Sequence, residues 1–336
     1  MRSDGCLTLD EGVPLRMAEK DFDGPEAWRG SDLAPEDWTV SLDKPAIAEL
    51  ESVVARLRKH ALPTLMLTPG MFDLAAVRAR VAEVKSRLSD GRRFAVLDRL
   101  PLDNWTLEEA KRVYWLVAQL LSQPVAQEWN GMVFKDVVDS GTDYDSGNER
   151  AVTNRALLYH IDNSGNIARP EFSSLLCVHP AMSGGGLSQY CSVYSLHNAL
   201  WRAHPDLLDR LYRPFYHDRQ GIQPPGEPGV LIAPALTYDG VRLQCRYSSN
   251  KIRGGYAKMQ EPVDAEGDAA LDAVIDIIQR ENLAVEFALE RGQIFFYNNL
   301  EGLHHRSNFT DDPDPQKRRH LMRIWYRDHG QPFFDG

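Results

Sequence analysis

The chain has 336 residues, 43% hydrophobic and 26% charged, a make-up that fits a globular enzyme of one large domain or two small ones and not a disordered or membrane-spanning chain. A formal net charge of -10 argues against an overall basic footprint for nucleic acid or a membrane surface, while leaving room for a local basic pocket. The four cysteines, Cys6, Cys177, Cys191 and Cys245, include no Cys-x-x-Cys pair, which argues against a zinc ribbon, a thioredoxin-like motif or a disulfide framework.

The first stretch, to about residue 40, is rich in Gly, Pro, Asp and Trp and has no apolar segment of the signal-peptide kind. It reads as an irregular surface arm, anchored by Trp28 and Trp38, on a cytoplasmic protein. Ile47, Leu50, Val53, Val54 and Leu57 then follow helical spacing from Lys44, with Asp43 as cap and Pro45 in the first turn. A second amphipathic helix is expected over 72–88. A third is expected over 107–121, opened by the capping box of Thr106 and Glu109. Between them, 94–97 reads as a short strand.

Past residue 127 the texture changes to short apolar or alternating runs broken by Gly, Pro, Asp and Asn. Strands are expected over 132–138, 172–179, 230–236, 241–247, 293–297 and 320–326, and helices over 193–203, 205–211 and 264–282. The pattern is α+β: an antiparallel barrel or sandwich covered by helices. No linker interrupts the chain, so one domain is expected over 1–336, with a helical preface at 1–95 and a strand-rich core at 96–330. The acidic, Gly-rich stretch 136–150 just before His160 is a candidate lid.

Chemistry first shows in Leu158-Tyr159-His160-Ile161-Asp162, at the end of an apolar run. Residues two apart on a strand share a face, so His160 and Asp162 can converge. Together they are two thirds of the facial triad of two His and one carboxylate that holds non-haem Fe(II). Farther on, the strand beginning at Gly292 ends in Asn298-Asn299, turns, and delivers Leu303-His304-His305-Arg306. Arg319 follows fifteen residues after His304, and Arg323 four later. An arginine-bearing strand beside a metal site suits a carboxylate clamp, because guanidinium is planar, always charged and able to bind bidentately.

These pieces, with Gly185-Gly186-Leu187-Ser188 between them, resemble in order and spacing the taurine dioxygenase-like branch (TauD/TfdA, clavaminate synthase-like) of the Fe(II)/2-oxoglutarate-dependent oxygenases. The resemblance covers roughly residues 150 to 327. It implies a double-stranded β-helix (jelly-roll) core flanked by helices, with His160, Asp162 and His304 as iron ligands. His305 stands where the family has a small residue, so His304 and His305 both remain candidates for the third ligand. The resemblance also implies that Ser188 and Arg319 bind the distal carboxylate of 2-oxoglutarate. Arg323 matches a second arginine that faces an anionic substrate in some members and supports the cosubstrate in others, so the division of labour between Arg319 and Arg323 stays open.

The implied reaction is oxidative decarboxylation of 2-oxoglutarate to succinate and carbon dioxide, coupled to hydroxylation of an unactivated C–H bond of a small, anionic metabolite by O2. Related halogenases replace the metal carboxylate with Gly or Ala, so Asp162 argues against halogenation. Asn163, Arg246 and Tyr247 are the expected substrate contacts. The alternative is a β-helix protein that binds a metal or small ligand without turnover. Neither nucleic acid nor membrane is expected as a partner, and oligomeric state is left open, a homo-oligomer included. The triple Gly184-Gly185-Gly186 lacks the Lys-Ser/Thr of a phosphate loop and reads as a turn needing positive φ.

Overall fold

Side-chain alternation along strands divides the apolar residues of this chain among separate cores. The computed structural model describes residues 2–3, 5–139, 154–182 and 184–334. In strand Ile294–Asn298, Ile294 and Phe296 join a core on the helix side of a sheet, whereas Phe295 and Tyr297 turn into an aromatic core with Phe94, Tyr190 and Cys177. Strand His320–Arg327 divides the same way, Met322, Ile324 and Tyr326 facing the helices and Leu321 the aromatic core.

The larger sheet has seven strands, in the order Thr39–Ser41, Phe94–Asp98, Ile294–Asn298, Phe172–His179, His320–Arg327, Gln123–Val125, with Lys135–Val138 also pairing His320–Arg327. The smaller, four-stranded sheet runs Val285–Phe287, Ser188–Ser192, Gly302–Arg306, Leu157–His160. Helices Lys44–Lys59, Ala75–Ser89 and Leu107–Leu121 cover the outer face of the first sheet. Helices Val193–Ala203, Pro205–Leu211, Ser249–Met259 and Ala265–Arg280 pack with Tyr159, Ile161, Cys191 and Leu303 on the outer side of the second. This is an α+β double-stranded β-helix flanked by helices.

Local signals set the helix starts. The Asp43 side chain accepts from the Ala46 N–H at 3.0 Å, and Thr106 and Glu109 form the reciprocal capping box. Helix Ser249–Met259 has no counterpart in the sequence reading, because Gly254-Gly255 breaks its propensity. Packing explains the glycines: a Cβ on Gly255 would lie 2.5 Å from the Tyr216 carbonyl oxygen, so only glycine lets the helix touch strand Pro214–Asp218.

The expected preface also differs in kind. Thr39–Ser41 adds a parallel edge strand to Phe94–Asp98, and Cys6–Thr8 pairs in parallel with Val230–Pro234. The division at 95/96 therefore falls inside a sheet strand, Phe94–Asp98, and the arm is stitched into the fold. Trp28 and Trp38 are buried as anchors, and the four cysteines are buried. The strand expected over 241–247 is only Leu243–Cys245, which leaves Arg246 and Tyr247 beyond its end. Most of the candidate lid, 140–150, lies outside the described residues. Among the described residues, no helix is long and apolar enough to cross a membrane.

Candidate active site

Strands Leu157–His160 and Gly302–Arg306 lie side by side, with His160 directly opposite His304. Their rings meet at a centroid distance of 4.1 Å. Asp162 follows just past the first strand, its Oδ1 3.9 Å from His304 Nε2. The three residues form a group that could hold a metal, with one ligand atom from each lying within 4.8 Å of the others. Period two separates the two adjacent histidines: Leu303 and His305 point outward, Leu303 into the helix-side core and His305 against Tyr159 at 4.9 Å, while His304 points inward.

The protonation states suit a metal. The His160 Nδ1 sits 2.7 Å from the Leu158 carbonyl oxygen, which fixes the N–H there and leaves the Nε2 lone pair free. Burial pushes the His160 pKa down to about 4 and that of His304 well below its usual range, so both imidazoles are neutral at pH 7. Burial alone would raise the Asp162 carboxyl, but Arg323, His304, His160 and the Tyr297 hydrogen bond together hold it well below the usual carboxylate range.

Asp162 is enclosed by protein donors. Its Oδ2 accepts from Tyr297 Oη at 2.9 Å, Ser173 Oγ at 3.0 Å and Trp325 Nε1 at 3.0 Å. Its Oδ1 accepts from Arg323 Nη1 at 2.7 Å. Asn299 closes the backbone, accepting from the Asp162 N–H at 2.7 Å and donating to its carbonyl at 3.1 Å. Arg323 is braced in turn by Gln127, whose Oε1 accepts from Nε at 2.8 Å, and lies over the Trp325 ring. Tyr297, Ser173, Trp325 and Gln127 are absent from the sequence reading. Their one signal is polar or amphipathic residues inside apolar strands, such as Ser173 after Phe172.

Arg319 is placed differently. It is 4% exposed, yet its guanidinium makes no hydrogen bond or ion pair among the described residues. It lies over the Phe309 ring at 5.1 Å, and burial presses its pKa down to about 10. The Asp311 carboxylate accepts from its backbone N–H instead. Gly186, at φ +68°, makes room for it, since a Cβ there would sit 2.9 Å from Arg319 Nε. Ser188 is buried two residues on, opposite Arg306 in the sheet.

The expected substrate contacts have partners within the protein. Asn163, at φ +57°, uses its side chain within its own loop, donating to the Ala168 carbonyl and accepting from Asn166, both at 2.8 Å. Arg246 donates to Glu11 and to the carbonyls of Ser164, Asn166 and Ile167. Tyr247 donates to the Leu271 carbonyl at 3.0 Å from within the helix-side core. The polar groups of all three hold loops and helices among the described residues.

A family model for taurine catabolism dioxygenase TauD, TfdA family, matches residues 63–325. FR-33289 synthase of Streptomyces rubellomurinus is 28% identical over 330 residues, covering 95% of this chain and 94% of that protein. Taurine hydroxylase-like protein SAT17 of Stachybotrys chartarum is 25% identical over 326 residues, covering 94% and 82%. Asparagine oxygenase, solved with Fe(II), 2S,3S-3-hydroxyasparagine and succinate, superposes with a TM-score of 0.65 at 22% identity, over 87% of this chain and 94% of that one. The non-heme iron oxygenase OrfP, solved with Fe and alpha-ketoglutaric acid, gives a TM-score of 0.60 at 15% identity, over 87% and 94%. At these identities the structural likeness speaks to the fold, and the family match, which spans most of the sequence, speaks to kinship: this chain belongs to the TauD/TfdA family of dioxygenases.

Proposed function

We propose that this dioxygenase uses Fe(II), held by His160, Asp162 and His304, and 2-oxoglutarate, held at its distal carboxylate by Arg319, to hydroxylate an unactivated C–H bond of a small metabolite with an anionic group. The observation that carries the reading is the convergence of two neutral imidazoles and one carboxylate within 4.8 Å of one another. That donor set suits non-haem Fe(II) and leaves positions open for a chelating cosubstrate and oxygen. Bound there, iron would couple decarboxylation of the cosubstrate to succinate with oxidation of the substrate.

The chain's own residues bind and orient. Arg319 is a buried cation whose guanidinium has no hydrogen-bonded partner among the described residues, an arrangement that favours an incoming carboxylate. Ser188, buried opposite Arg306 in the smaller sheet, is proposed to add a hydroxyl. Arg323 has Nε and Nη1 engaged and Nη2 without a partner among the described residues, so it can offer that edge to an anionic substrate. The two solved oxygenases were captured with hydroxylated asparagine and hydroxylated arginine, which makes free amino acids the first substrate class to screen. We place the chain in the cytoplasm, acting as one catalytic domain on small molecules. The non-catalytic alternative has no observation in its favour.

Anaerobic titration of the Fe(II)-loaded protein with 2-oxoglutarate is expected to develop the weak visible charge-transfer band of the chelate. His160→Ala and His304→Ala should lose the band, and His305→Ala should keep it. Absence of the band in the parent at every cosubstrate concentration would sink the proposal. Succinate release then ranks the candidate amino acids.

A further inference from the structure

Tyr297, Ser173 and Trp325 stand in one row across three neighbouring strands of the larger sheet. Ser173 is the register partner of Tyr297 on one side and of Trp325 on the other. All three are buried, and all three donate to the same oxygen, Asp162 Oδ2, at 2.9, 3.0 and 3.0 Å. A carboxylate oxygen offers about two lone-pair directions, so three donors saturate it. Oδ1 accepts one hydrogen bond, from Arg323, and lies on the His304 side.

We infer that Tyr297, Ser173 and Trp325 act as a cap that reserves Asp162 Oδ2, so that this carboxylate engages a metal through Oδ1 alone. The inference rests on Asp162 being a ligand, as proposed above. The row belongs to the larger sheet and Asp162 follows a strand of the smaller one, so the cap locks a ligand of one sheet onto the rigid frame of the other. The consequence is chemical. A carboxylate free to turn could close a second coordination position with Oδ2, and a capped one leaves that position to the cosubstrate or oxygen. The three capping residues are positioning residues, and Arg323 has the opposite effect, competing with a cation for Oδ1.

The test is Co(II) binding to the metal-free protein by calorimetry. Tyr297→Phe/Ser173→Ala deletes two hydroxyls and is expected to weaken Co(II) by about 10- to 100-fold, the usual effect of losing partners that orient a ligand. Ser174→Ala is the control: it removes a hydroxyl buried on the opposite face, bonded to Tyr114 and Tyr326, and should leave affinity unchanged. Arg323→Gln should bind Co(II) at least as tightly as the parent. This difference in sign is one that a merely structural role would not produce. Unchanged affinity in the double variant, or equal weakening in Ser174→Ala, overturns the cap. Equal weakening in Arg323→Gln overturns the assignment of Oδ1. If the double variant does not fold, Trp325→Phe carries the same test. Asp162→Ala binding Co(II) as the parent does would instead remove the ligand reading beneath the inference.

Discussion

Arg246 and Arg319 are both buried, 2% and 4% exposed, and burial depresses both, to about 9 and about 10. Their surroundings are opposite. Arg246 has a carboxylate, Glu11 at 3.1 Å, and three carbonyl acceptors in the loop after Asn163. Arg319 has an aromatic face and, among the described residues, no acceptor for its guanidinium. A buried charge is costly unless paired. Where the chain itself supplies the pair, the arginine is architecture. Where the described residues offer no pair, the arginine can take an anion from outside, the role proposed above for Arg319. Arg319 packs over the Phe309 ring and against Gly186.

The comparison breaks most easily at Arg246. Arg246→Ala leaves the Glu11 carboxylate with Arg169 alone, at 3.4 Å, and unties the 164–167 loop, and each hydrogen bond lost from a charged group costs about 1.5–3 kcal/mol. A large fall in melting temperature is expected, with the concentration of 2-oxoglutarate needed for half of the chelate band nearly unchanged in the folded fraction. A selective loss of substrate affinity with full stability would return Arg246 to the substrate pocket.

Arg319→Ala should do the reverse. Hydrogen bonds to charged groups are worth about 1.5–3 kcal/mol, so half-saturation by 2-oxoglutarate should rise by about 10- to 100-fold. Stability in the absence of cosubstrate should hold or improve, because a poorly compensated buried charge is removed. If Arg323→Ala weakens the cosubstrate more than Arg319→Ala does, the roles of the two arginines are exchanged.

Phe309 sharpens the contrast at smaller scale. Its ring lies under both Arg306, at 4.9 Å, and Arg319, at 5.1 Å. A cation–π contact is worth about 0.5–2 kcal/mol depending on burial. Phe309→Leu should therefore weaken 2-oxoglutarate a few-fold while Co(II) affinity stays constant, and Phe309→Tyr should restore the parent value. Equal affinity in Phe309→Leu and the parent would mean that backbone packing alone holds Arg319.

What could be read from the sequence follows the range of the interaction concerned. His160 and Asp162 were legible because period two is local, and the caps at Asp43 and Thr106 because three residues define each. The inward turn of His304 and outward turn of His305 needed the sheet, since either parity satisfies an alternating strand. The Asp162 cap needed the register between strands starting at Phe172, Ile294 and His320, which no local pattern carries. The partners of Arg246 were hidden for the same reason: Glu11 and 164–167 are distant in sequence, and an arginine after a short strand looks the same whether it faces a pocket or a loop. Helix Ser249–Met259 was hidden by glycines that serve packing and not propensity.

A third arginine tests the scale of the argument from the surface. Arg58, on helix Lys44–Lys59, meets Glu109 in a two-pronged contact at 2.7 and 3.1 Å, and Glu109 also closes the capping box of helix Leu107–Leu121. The Arg58 hydrogen bond and the Thr106 backbone N–H lower the Glu109 carboxyl from 4.5 to about 2. A depressed carboxylate stabilises the folded state fully above its unfolded pKa, and that contribution fades as pH falls toward the folded one. The contribution of Glu109 should thus be intact above about pH 4.5 and be lost between there and about pH 2. Glu109→Gln should lower the melting temperature slightly at pH 7 and narrow its gap to the parent as pH falls through that window, and high salt should shrink the effect because Arg58 is open to solvent. A gap independent of both pH and salt would assign the residue's worth to helix capping alone and leave the ion pair without weight. The surface pair would then differ from Arg246 and Arg319 in kind, its charge already satisfied by water.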